Sequence, residues 1–114
     1  MNEWRLYSEV ELDAVLKAAL ASFIETGYHG ATVRDIARRA GLSVPGIYHH
    51  YATKQDMLLT ILDLAMEDLL SRSRAAKDEA GGDPVRAFAR LVECLVLFHC
   101  HRRDLAFIGS SEMR

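Results

Sequence analysis

Residues 33–52 read VRDIARRAGLSVPGIYHHYA, and the residue types along this stretch set the architecture. Val33, Ile36, Ala37 and Ala40 recur at three- and four-residue steps, the spacing of one face of a short helix. Gly41 follows, where a tight turn demands a positive φ that glycine adopts without penalty. Ser43 can cap a second short helix, running to about His50. Pro45 then falls in the first turn, where no intrahelical partner awaits its missing N–H. Ala37 is small enough to let the two helices cross closely, and Leu42 and Ile47 are expected to lock the pair from inside. This is helix-turn-helix spacing, and it leaves the second helix free to lie in a major groove.

The flanking sequence continues the helical pattern. Upstream, Ser8 and Glu11 read as a capping box that starts a helix near Ser8. Leu12, Val15, Leu16, Ala19, Phe23 and Ile24 share its apolar face, and Gly27 stops it. After the loop Tyr28–Ala31, Thr32 and Asp35 form a shorter version of the same box. Downstream, Thr53 and Asp56 open a long helix from about Lys54 to Lys77, with Leu58, Ile61, Leu62, Ala65 and Leu69 inward. The stretch Asp78–Gly82 breaks it, and Asp83–Pro84 starts a fifth helix expected to carry Phe88, Leu91, Val92, Leu95 and Phe98 inward. Asp104 to Arg114 reads as the opening of a sixth. The fold class is therefore all-α: a three-helix head over residues 8–52, then a long connecting helix within an incomplete helical domain over residues 53–114.

The chain has 114 residues, half of them hydrophobic and 26% charged. That fits about one domain of globular protein and excludes a disordered or collagen-like chain. The net charge of -2 also excludes a uniformly basic nucleic-acid coat, but charge is unevenly spread. Residues 1–28 carry -3, residues 29–56 carry +2 and residues 57–114 carry -1. The one net-positive segment holds the helix-turn-helix spacing, and phosphate recognition works through local cations and helix N-termini rather than overall charge. Two cysteines make no disulfide framework, no apolar run is long enough for a membrane span, and the N-terminus lacks the pattern of a secretory signal. The expected compartment is the cytoplasm.

Several runs together are specific enough to name a likeness. These are Thr32–Ala37, Ala40–Ser43, Gly46–Tyr51 and Thr53–Leu58, with Gly-Ile-Tyr-His-His-Tyr-x-x-Lys at the centre. Over residues 10–62 the chain resembles the TetR family of bacterial transcriptional repressors. The resemblance implies a homodimer that binds a palindromic double-stranded operator and leaves it when a small-molecule inducer occupies the C-terminal domain. It places Thr32 and Arg34 on phosphate at the start of the second helix. Ser43, Val44, Pro45 and Gly46 become the leading end of the recognition helix, with Val44 and Pro45 suited to a thymine methyl. Tyr48 and Lys54 match phosphate-binding positions, and His49 matches one that faces DNA. His50 and Tyr51 resemble packing positions that join the head to the fourth helix. Tyr51 stands where many relatives have Phe, so its hydroxyl needs a partner or an exit to water.

The resemblance also makes Phe88, Leu95, Phe98, His99 and Phe107 candidate lining residues of a ligand pocket. The end of the chain resembles regulators of lipid-derived or acyl-CoA ligands. Family members are longer, and their last helices make the dimer, so this chain alone is expected to bind its operator weakly.

Competing chemistry finds little support. Cys94, His99, Cys100 and His101 invite a metal reading, but consecutive helical residues lie about 100° apart and do not converge on a tetrahedral ion. No nucleophile triad, phosphate loop or nucleotide fingerprint is present. Neither an enzyme nor a cofactor is expected. The alternative function is a helical interaction or small-molecule carrier module without DNA binding.

Overall fold

The computed structural model describes residues 3–8 and 12–112, with residues 109–112 described by backbone alone. Six α-helices occupy these residues: α1 (Ala14–Thr26), α2 (Val33–Ala40), α3 (Val44–His50), α4 (Lys54–Glu79), α5 (Pro84–His101) and α6 (Arg103–Glu112). A single 3-10 turn at Glu3–Arg5 precedes them, and the described residues contain no strand. The fold is all-α, as the periodicity predicts.

The local start signals operate as written in the sequence. Thr32 Oγ1 accepts from the Asp35 amide at 3.0 Å, Ser43 Oγ from Gly46 at 3.1 Å, and Thr53 Oγ1 from Asp56 at 3.0 Å. Asp83 Oδ1 accepts from Val85 and Arg86. Each side chain satisfies amides that the first helical turn leaves without a partner. Between α2 and α3, Gly41 takes the left-handed conformation (φ 71°, ψ 29°). The Gly41 amide reaches Arg38 O and the Leu42 amide reaches Ala37 O, the double bond of a Schellman ending.

Three expectations are corrected. First, α1 starts at Ala14 rather than near Ser8, capped by Asp13, whose Oδ1 accepts from the Leu16 amide at 2.7 Å. Glu11, the other half of the expected box, lies outside the described residues. The segment 3–8 is bound elsewhere and cannot join the helix. Trp4 is buried, Arg5 pairs with Glu79 and Glu93, Arg72 donates to Trp4 O and Leu6 O, and Arg102 donates to Ser8 O.

Second, Leu42 does not lock the helix pair, because it is 41% exposed on the outer side of the turn. Ile36, Ala37 and Ile47 fill the inside. Third, α5 is rotated from the expected face. Phe88, Leu91, Val92 and Leu95 are exposed, and of the five residues expected inward Phe98 alone is buried. Cys94 packs with Trp4 and Ala76, while Arg5–Glu93 and Arg90–Glu79 pairs tie the same side down. Ion pairs with distant partners flank the buried face, marked by Cys94 and Phe98, of a helix that is apolar nearly all round.

The main core is continuous. Phe23, Ile36, Ile47, Met57 and Ile61 are fully enclosed at the junction of the first four helices. The same cluster extends through Ala65 to Phe98, Leu105 and Ile108 of α5 and α6. The short helices α2 and α3 are thus seated on a shared hydrophobic base.

Candidate nucleic-acid interface

Seating Ile47 in the core fixes which way α3 faces. Val44 is half-buried and packs against the core, whereas Ser43, Pro45, Tyr48, His49 and His50 are exposed. Tyr48 keeps 51% of its surface open. Gly46 lies against the cap: a Cβ there would meet Ser43 Oγ at 3.2 Å, so a side chain would push on the bond that starts α3. His50 was expected to pack inward, yet it is exposed and meets His49 edge-on at 5.7 Å. Tyr51 does pack inward, and its hydroxyl donates to Asp13 Oδ2 at 2.7 Å. Burial first, and then the neighbouring carboxylate, push the Tyr51 phenol up to about 12. Asp13 thereby caps α1 with one oxygen and holds the end of α3 with the other.

The four cations of residues 29–56 divide by use. Arg39 is held by Asp35 and Glu25, and its side chain is 22% exposed. Arg38 also pairs with Asp35 but remains largely in solvent, the kind of surface pair that contributes only about 0–1 kcal/mol. Arg34, at the start of α2 beside exposed Thr32, makes no ion pair among the described residues. Lys54 is half-buried, and its Nζ donates to Tyr28 O at 2.6 Å and Ala31 O at 3.0 Å. Thr32, Arg34, Ser43, Pro45, Tyr48 and His49 are therefore all exposed on two adjacent helices and their caps. Lys54 stands behind the first of them.

The Asp35 carboxylate does not return to the Thr32 amide as a full capping box would. It accepts from Arg39, Arg38 and Ser22. Those three bonds, Arg39 first, hold its pKa at about 2 against an ordinary 3.8. A depressed carboxylate pKa contributes stability that is complete above the unfolded value and is lost as pH falls through the folded one. The stability difference between wild type and Asp35→Asn should therefore be constant above about pH 5 and collapse between about pH 4 and pH 2. Urea titrations across that range check this, and a difference independent of pH would contradict it.

The candidate ligand residues are not brought together. Phe98 is in the core, Phe88, Leu95 and Phe107 are exposed, and the exposed His99 turns its Nδ1 to Leu95 O at 2.9 Å. An open cleft of about 440 Å³ lies elsewhere, between α1 at Lys17 and Leu20 and the α5–α6 turn at Arg102–Leu105. Cys94 is buried and Cys100 exposed, so the two thiols face different surroundings. No helix among the described residues is long and apolar enough to cross a membrane.

What sequence reasoning missed most is the arginine-rich strap beside the head. Arg72 lies 3.6 Å over the Tyr7 ring, which also stacks on His101 at 4.5 Å. Asp68 joins Arg72 to Arg102. The Asp68–Arg72 spacing of four was the only local signal of this cluster.

Residues 15–61 match the family described as bacterial regulatory proteins, tetR family. The chain is 36% identical over 72 residues to the HTH-type transcriptional activator FasR of Mycolicibacterium smegmatis, covering 63% of this chain and 33% of that protein. It is 39% identical over 64 residues to the HTH-type transcriptional repressor KstR2 of Mycobacterium tuberculosis, covering 56% and 32%. It is 41% identical over 54 residues to the HTH-type transcriptional repressor AcnR of Corynebacterium diphtheriae, covering 47% and 27%. The matched segments amount to about a third of the length of these relatives. Residues 15–61, which run from α1 through α3 into the first turns of α4, are thus a domain of the tetR family of bacterial regulatory proteins.

Proposed function

We propose that this chain acts in DNA reading as a transcriptional regulator, with residues 8–52 as the head and residues 53–114 serving ligand binding and dimerisation. The observation that carries the reading is the pair of capped, core-seated helices that, with their caps, expose Thr32, Arg34, Ser43, Pro45, Tyr48 and His49. Arg34, Thr32 and Tyr48 dock on phosphate and set the register. Val44, Pro45 and His49 meet the base edges, with Gly46 allowing close approach of the backbone. Lys54 matches a further phosphate position of the family, although two of its three N–H groups are already engaged.

Repression is the favoured sign, in keeping with the names of KstR2 and AcnR, while FasR is named an activator. Two copies on a palindromic operator would double every contact made by one head. The apolar surface of α5 around Phe88 and Leu95 suits a small-molecule response, with a lipid-derived or acyl-CoA inducer as the favoured class. Such a protein works in the cytoplasm.

Selection of random duplexes by the purified chain, followed by sequencing, tests the reading. A short enriched motif is expected, one half of an inverted repeat or both halves. Recovery without enrichment, insensitive to salt, would favour a helical interaction module instead.

A further inference from the structure

The cleft of about 440 Å³ between α1 and the α5–α6 turn has a mixed wall. Leu12 and Leu105 are buried and Leu20 is half-buried, and these three make its apolar part. Lys17 on α1 and Arg103, the first residue of α6, are exposed and make no ion pair among the described residues. Arg102 also lines the cleft, although only 9% of its side chain is exposed. Its Nε donates to Asp68 at 3.3 Å and its Nη1 to Ser8 O at 2.8 Å. A guanidinium carries five N–H groups, and Nη2 takes no hydrogen-bond partner among the described residues. Asp68 is shared with Arg72, and Asp104 is the single carboxylate among the residues lining the cleft. The wall therefore carries an excess of positive charge.

We propose that this cleft binds an organic anion, an acidic head group on an aliphatic body. Lys17, Arg102 and Arg103 supply the charge, and a planar guanidinium fork suits a carboxylate. Leu12, Leu20 and Leu105 take the aliphatic body, whose burial stabilises by about 25 cal/mol per Å². A neutral molecule would leave Lys17 and Arg103 unmatched, and a bare inorganic ion would leave the leucines wet. The volume falls in the range of small-molecule sites, about 300–1,000 Å³. None of Phe88, Leu95, Phe98, His99 and Phe107 lines the cleft, so it is a second place from the apolar surface of α5. It goes beyond the DNA-binding reading and does not depend on it.

The test titrates sodium octanoate, below its micelle concentration, into the chain by calorimetry, with amide NMR spectra recorded alongside. Saturable binding is expected, with amide shifts centred on Lys17, Ala21 and Arg103 to Leu105. Lys17→Met and Arg103→Met should each weaken it about fivefold, the loss of one exposed charge contact. Ala21→Phe sets a ring on the exposed wall of the cleft and should abolish binding while the spectrum stays that of a folded chain. Octanol or inorganic phosphate binding as tightly as octanoate would overturn the proposal, since the tail alone or the charge alone would then be recognised. So would heat that never saturates, shifts centred on Phe88 and Leu95, or an affinity unchanged in all three variants. If one variant fails to fold, the other two decide by the same readings. No duplex is present, so the outcome stands apart from that of the DNA-binding reading.

Discussion

Phe23→Ala should lower the unfolding free energy by about 3–5 kcal/mol, the range for removing a buried aromatic ring. Phe23 is fully enclosed in the cluster that also holds Ile36, Ile47 and Met57, so one cavity would touch all four helices that seat the head. Small domains have a total stability of about 5–15 kcal/mol, so the loss is a large share of what holds α2 and α3 in place. Tyr28 would also lose the ring it tilts against, and with it the platform beneath Lys54. Urea denaturation followed by far-UV circular dichroism measures this. A loss below about 1 kcal/mol would mean that the head is not built around Phe23.

Arg34→Ala should leave that denaturation curve within about 0.5 kcal/mol, because Arg34 is exposed and makes no ion pair among the described residues. Its effect should fall on DNA. Affinity for the selected duplex is expected to drop about tenfold, and the log–log salt slope to shrink by about 0.9, as one phosphate contact and its released counterion disappear. Tyr48→Phe gives the contrast. Its exposed hydroxyl is a neutral donor, so its loss should weaken binding by about 0.5–1.5 kcal/mol without changing the slope. Arg39→Ala should do the reverse of Arg34→Ala, disturbing the Asp35–Glu25 network and leaving the slope alone. If Arg34→Ala and Arg39→Ala behaved alike, the division of the head's cations into structural and docking groups would be wrong.

Where information is local, the sequence was legible. Thr32, Ser43, Thr53 and Asp83 each cap the helix they announce, because a capping bond spans two or three residues and needs nothing else. The turn at Gly41 was readable for the same reason. The start of α1, expected near Ser8 and found behind the Asp13 cap, was settled by contacts from residues 3–8 to α4, α5 and Arg102 that no short window contains. The face of α5 was hidden because Val85, Phe88, Leu91, Val92, Leu95, Val96, Leu97 and Phe98 surround the helix with apolar residues. Periodicity then favours no side, and the buried one, with Cys94 and Phe98, packs against distant residues and is flanked by the Arg5–Glu93 and Arg90–Glu79 pairs.

The candidate interface divides in the same way. The outward set on α3, His50 apart, follows from the helical period once Ile47 is recognised as the buried residue. The engagement of Lys54 with two carbonyls could not be read at all, since every residue has a carbonyl and nothing marks the two that a fold brings within reach. The partner of the Tyr51 hydroxyl was foreseeable as a need but not as Asp13, which lies 38 positions away.

The most direct test of the DNA-docking role is the salt dependence of duplex binding for wild type and Arg34→Ala, measured on the same selected site. A head that docks through phosphates predicts a steep fall in affinity as salt rises, and a slope shallower by about 0.9 in the variant. Wild-type binding that ignored salt, or identical slopes for the two proteins, would contradict it.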